Sequence, residues 1–121
     1  MPNSKTRVLV LAREPVIAAF LALLMELDGY NVDFAQVGER AEDAIERLHP
    51  PLIICADGTL SELSSDLFLA RASKRGRVVL FAAPELGEDV RELAARRGFP
   101  FFGLPVDRET LSRALAAARA T

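Results

Sequence analysis

Cysteine occurs once in these 121 residues, at Cys55. That excludes an internal disulfide and suits a reducing cytoplasm. Histidine also occurs once. His49 stands beside Pro50 and Pro51 with no cysteine or histidine neighbour to complete a metal site. Glycine-rich phosphate loops are missing: there is no GxGxxG, no P-loop and no serine elbow, so neither nucleotide binding nor nucleophilic catalysis has a motif behind it. Long apolar runs are missing too. The run at 16–25 is far short of the roughly 20 residues of a membrane span. Arg13 and Glu14 cut the N-terminal apolar stretch too short for a signal sequence. Nor does charge of one sign dominate. Fifteen basic and 17 acidic side chains leave a net −2, so bulk electrostatics does not predict a nucleic-acid binder.

What is present is apolar residue, half of the chain, enough for one sizeable core and a single domain over 1–121. VLVL (8–11), LIICA (52–56) and VVLFAA (78–83) are almost continuously apolar, as strands of a parallel sheet read when helices cover both faces. Cys55, inside the second run, reads as a small hydrophobe. NVDFA (31–35) alternates like an edge strand, and PFFG (100–103) is a short fifth candidate.

Between the strands lie five helical stretches. The first starts at Pro15 and stops before Gly29, with Ile17, Phe20, Leu21 and Leu24 as an inward stripe. The second covers about 39–48 and buries Ala41, Ala44, Ile45 and Leu48; the third covers about 64–73. The fourth, about 88–97, ends at Gly98. The fifth begins near Asp107, an N-cap, and buries Leu111, Ala114, Leu115 and Ala118. Five strands alternating with five helices predict a doubly wound α/β sheet, with flavodoxin-like strand order 2-1-3-4-5.

Along essentially its whole length the chain resembles the CheY-like receiver domains of two-component response regulators. VLVLAREP is similar to the family's first strand and acidic turn. Gly29-Tyr30, Gly38-Glu39 and Pro50 fall where the family has them, as do Phe101 and Leu104-Pro105. The segment between Gly98 and Pro105 is one residue shorter. The resemblance implies a pocket in which acids hold magnesium, an aspartate accepts a phosphoryl group, and a hydroxyl and a lysine neutralise the gathering charge.

The pocket positions are not filled that way. The two acids after the first strand correspond to Ala12 and Arg13, and only Glu14 keeps a carboxylate in that turn. The acceptor falls on Ala56, the hydroxyl on Ala82 and the lysine on Leu104. The resemblance therefore implies a degenerate pseudo-receiver, with no cofactor, no metal and no enzymatic activity. Asp57, one residue beyond Ala56, would be the acceptor if the register slipped by one. Otherwise Asp57-Gly58 is simply a turn. Arg13 is expected either to replace the metal by pairing with Asp57 or Glu14, or to point into water.

Function then falls to surfaces. Ala19, Leu23 and Leu27 form a row beside the inward stripe, either ordinary core or a docking patch. The fourth helix, fifth strand and fifth helix carry Arg91, Arg96, Arg97, Arg108 and Arg113 among acids, which suits either salt-bridged pairing with a protein partner or second copy, or a solvated face. Phe101 is expected as an inward-turned switch aromatic. No membrane is expected, and nucleic acid is disfavoured because no recognition-helix motif is present. A small-ligand sensor using the crevice at the strand C-termini is the remaining alternative.

Overall fold

The computed structural model describes residues 6–48 and 51–120. His49 and Pro50, read above as a loop and a family mark, lie outside the described residues. Five strands form one all-parallel sheet in the order β2-β1-β3-β4-β5. They are β1 (Arg7–Leu11), β2 (Asn31–Phe34), β3 (Leu52–Asp57), β4 (Arg77–Ala82) and β5 (Phe101–Gly103). Both the strand order and the doubly wound architecture agree with the sequence reading.

The helices are α1 (Pro15–Leu27), α2 (Ala41–Arg47), α3 (Ser61–Ser64), α4 (Asp66–Arg75), α5 (Gly87–Arg97) and α6 (Arg108–Ala120). The helix expected over 64–73 is α4, two residues further on, and a separate turn of helix, α3, precedes it. Ser65 separates the two, and its Oγ accepts the Phe68 N–H at 3.2 Å, capping α4. Asp107 caps α6 as its sequence position predicted, Oδ1 accepting the Thr110 N–H at 2.8 Å.

Side chains alternate across the sheet and build two cores. Leu9, Leu11, Ile54, Ala56, Leu80 and Ala82 face α2, α4 and α5, whose Ile45, Leu69 and Val90 cover them. Val8, Val10, Ile53, Cys55, Val79 and Phe81 face α1 and α6, under Leu21, Met25, Leu111 and Leu115. In this second core Phe81 of β4 stacks on Phe102 of β5, centroids 5.3 Å apart and planes within 7°. Burial pushes the Cys55 thiol well above its ordinary range, and the nearby negative charge of Asp57 adds to the effect.

The inward face of α1 differs from the stripe read off the sequence. Leu21, Ala22 and Met25 are buried, Ile17 and Leu24 half-buried, and Phe20 is exposed. The helix is apolar nearly all round, so periodicity could not select which side turns inward.

Candidate functional site

In open α/β sheets the crevice beyond the strand C-termini is where ligands and reacting groups sit. Here β1 stops at Leu11, in register with Ala56 of β3, which in turn pairs with Leu80 of β4. One residue further, Asp57 pairs with Phe81, and Ala82 pairs with Gly103. Because alternate residues turn to opposite faces, Ala56 and Asp57 have different environments. Ala56 and Ala82 are sealed in the core at 0% exposure. Asp57 is half-buried and lines a cavity of about 360 Å³ with Ala12, Glu14, Phe20, Leu104 and Pro105.

The Asp57 carboxylate is folded back on its own turn. Its Oδ1 accepts the Thr59 backbone N–H at 3.0 Å and the Thr59 hydroxyl at 2.6 Å. Gly58 donates its N–H to the Phe81 carbonyl at 2.8 Å. A Cβ on Gly58 would stand 2.5 Å from Val90 Cγ1, so only glycine lets the turn lie this close to α5. Thr59 was not singled out in the sequence, although Asp-Gly-Thr is a legible signal for an aspartate bonding the backbone two residues on.

Arg13 does not meet Asp57. It is exposed and lines a different cavity, of about 520 Å³, between α1, α2 and α3 with Ala18, Phe34, Glu39 and Leu60. Of the two expectations for this guanidinium, pairing is not what the structure contains; no ion pair of Arg13 occurs among the described residues. Successive residues leaving the end of β1 diverge, Glu14 entering the Asp57 crevice and Arg13 turning to the other side of α1.

These residues do not fit a magnesium ion. A hard divalent cation takes several oxygen ligands. The crevice offers two carboxylates, one of which already holds Thr59, and Ala12 offers no donor at all. Among the described residues there is no grouping of three or more acids, histidines or cysteines suited to a metal. The crevice lining contains no cation and no hydroxyl either.

Phe101 is half-buried rather than turned fully inward, with the Arg91 guanidinium 4.8 Å above its ring. Phe102 is the buried member of the pair, because β5 alternates and its second residue faces the α1–α6 core. The Leu104–Pro105 peptide is cis.

Three of the five arginines expected to form an outer face work within the chain. Arg91 covers Phe101, Arg97 bonds Asp66 of α4, and Arg108 holds Asp28 at 2.7 and 2.9 Å and the Leu27 carbonyl at 3.2 Å. Arg96 and Arg113 remain exposed on α5 and α6. On α1 the row of Ala19, Leu23 and Leu27 is outside the core. Leu23 and Leu27 are 57% and 56% exposed, and Val16 and Phe20 extend the same apolar surface at 78% and 44%.

No family model matches the chain, and no curated protein matches it. Solved structures do. A response regulator receiver domain protein from Clostridium thermocellum is 24% identical, with a TM-score of 0.73 over 93% of each chain. The chemotaxis protein CheY4 of Vibrio cholerae is 16% identical, with a TM-score of 0.73 over 95% of this chain and 99% of that one. Full-length FixJ from B. japonicum is 13% identical, with a TM-score of 0.72 over 98% of this chain and 59% of that one. At these identities the likeness is one of fold, the CheY-like arrangement derived above.

Proposed function

We propose that this chain is a pseudo-receiver: one receiver-like signalling unit that acts in the cytoplasm through protein contact, without phosphoryl transfer and without enzymatic activity. The observation that carries the reading is the composition of the strand C-terminal crevice. Where the resemblance puts an acceptor, a hydroxyl and a lysine, the chain has Ala56, Ala82 and Leu104, the first two sealed from solvent. Phosphoryl transfer needs charge neutralised at the moment of reaction, and no group lining this crevice is cationic.

Contact surfaces are available instead. The outer side of α1 presents Val16, Phe20, Leu23 and Leu27 along one helix, a denser apolar strip than singly scattered surface residues. We assign this strip, with the exposed Arg96 and Arg113 on α5 and α6 as a second surface, to a protein partner or a second copy. Nucleic acid and membrane are not assigned: no helix among the described residues is long and apolar enough to cross a bilayer, and net charge is slightly negative.

One observation favours a second reading, in which Asp57 is a weak phosphoacceptor. Its carboxylate lines the same crevice as Glu14 and Leu104, while Ala56 does not. Incubation with acetyl phosphate and magnesium, followed by intact mass, separates the two. The unchanged mass is expected. An added phosphoryl group that disappears in Asp57→Asn would replace the first reading with the second.

A further inference from the structure

The end of the sheet remote from the crevice carries a third cavity, about 520 Å³, where β1, β3 and β4 begin and α4 and α6 end. Among the described residues its lining includes four cations, Lys74, Arg75, Arg77 and Arg119, together with Thr6 and Ser73, and no carboxylate. We propose that this cavity is a binding site for a small polyanion of the phosphate class, carrying two or more negative charges.

Ordinary structural duties do not absorb these cations. Lys74 and Arg75 complete the last turn of α4, and Arg119 the last turn of α6, where a positive charge complements the helix dipole. A helix C-terminus presents only about half a negative charge, so two termini do not balance the three formal positive charges of Lys74, Arg75 and Arg119. Arg75 has one acidic neighbour, Glu46, at a loose 3.9 Å with both side chains largely exposed. Such a pair holds the arginine weakly. Arg119 leans on Tyr30, its Nη1 donating to the phenol oxygen at 3.4 Å and its guanidinium 5.8 Å from the ring centre. That contact orients the guanidinium without neutralising it. Lys74 is exposed and has no ion pair among the described residues. Arg77 is engaged within the fold and is not among the cations left open to a ligand.

The backbone between these residues is fixed closely. Gly76 is extended, and a Cβ there would stand 2.6 Å from the Leu52 carbonyl oxygen. The turn joining Lys74-Arg75 to Arg77 therefore lies directly on the start of β3. Lys74 and Arg75 are presented by one short stretch whose backbone is held at Gly76, with Arg119 facing it from α6. Guanidinium groups bond two phosphate oxygens at once, whereas the lysine serves as a point charge. A lone monovalent anion would use only part of this set; a diphosphate could use all of it. The site is independent of the crevice chemistry, lying at the opposite end of every strand.

The test is titration of the full chain with inorganic pyrophosphate and, separately, with a nucleoside triphosphate, read by calorimetry and by amide shifts in NMR. Sodium chloride at matched ionic strength is the reference. Saturable binding is expected, with shifts centred on residues 73–77 and on Arg119. If the nucleoside triphosphate binds no more tightly than pyrophosphate, the site reads phosphate alone; tighter binding places the nucleoside in the cavity as well. Lys74→Gln, on an exposed side chain that the fold does not need, should weaken binding about tenfold, the value of one charge-assisted contact. Arg96→Gln makes the same change of net charge away from the cavity and should leave affinity unchanged. Shifts that grow linearly and match those in chloride would overturn the proposal, as would equal losses in the two variants.

Discussion

Thr59 holds the carboxylate of Asp57 twice through one oxygen, by its backbone N–H and by its hydroxyl. The aspartate that could have been a reactive group is thus a turn lock. Asp57→Ala should lower stability by about 1–2 kcal/mol, the net value of two hydrogen bonds. Thr59→Val should cost about half of that, and the two losses should not add. Urea denaturation of the two single variants and the double variant measures all three. Full additivity would show that the pair does not act as a unit.

The stack of Phe81 on Phe102 joins β4 to the short edge strand β5 at the centre of the α1–α6 core. Phe102→Ala should cost about 3–5 kcal/mol. Domains of this size have total stabilities of about 5–15 kcal/mol, so the variant should sit close to its unfolding threshold at 37 °C. A thermal melt followed by circular dichroism would register this as a large downward shift.

Leu23 is the central residue of the exposed strip on α1. Leu23→Glu should alter unfolding free energy by no more than about 0.5 kcal/mol, as surface substitutions do. In sedimentation velocity the native chain should show a mass that rises with concentration, and the variant should remain monomeric throughout. A native chain that is monomeric at every concentration would leave the strip to a different protein.

Stability should fall in acid, and two carboxylates set part of the slope. Glu39 titrates below its ordinary value, chiefly because the Arg47 side chain hydrogen-bonds it, with the Gln36 N–H helping. Asp107 is lowered chiefly by the Thr110 backbone N–H and then by the Thr110 hydroxyl. A carboxylate depressed in the folded state stabilises it above the unfolded-state value and loses that contribution as pH falls through the folded value. For Glu39 the loss begins as pH drops past the ordinary glutamate range near 4.5. Glu39→Gln should flatten the stability profile below that pH and leave its shape near neutrality unchanged. An unaltered acid limb would mean that the Arg47 contact does not persist in solution.

Cys55 is fully buried and its thiol is held protonated by burial, with the charge of Asp57 reinforcing this. In native protein it should not react with a thiol reagent such as DTNB at neutral pH. One equivalent should react promptly in denaturant. Rapid modification of the native chain would indicate that the α1–α6 core opens.

The sheet was legible because its three central strands are short unbroken apolar runs, which few other elements produce at this spacing. Helix ends were legible where a residue has one structural use, as at Pro15, Gly98 and Asp107. The phase of α1 was not, since Phe20 and Met25 are equally apolar and only packing decides between them. The break at Ser65 was missed because its cap lies inside a stretch that is helical on both sides. At the crevice, residue types were readable but directions were not. Arg13, Glu14 and Asp57 are near one another in the fold, yet the divergence of the chain after β1 sends the arginine to another cavity.

The enclosure of Ala56 makes an acid hard to place at that position. An aspartate introduced there alone would enter a site lined by Leu11, Ile54 and Leu80, with no counter-charge among the described residues, at a cost of several kcal/mol. The interior at the end of β3 thus resists any charge, while the exposed strip on α1 can change its chemistry without disturbing it.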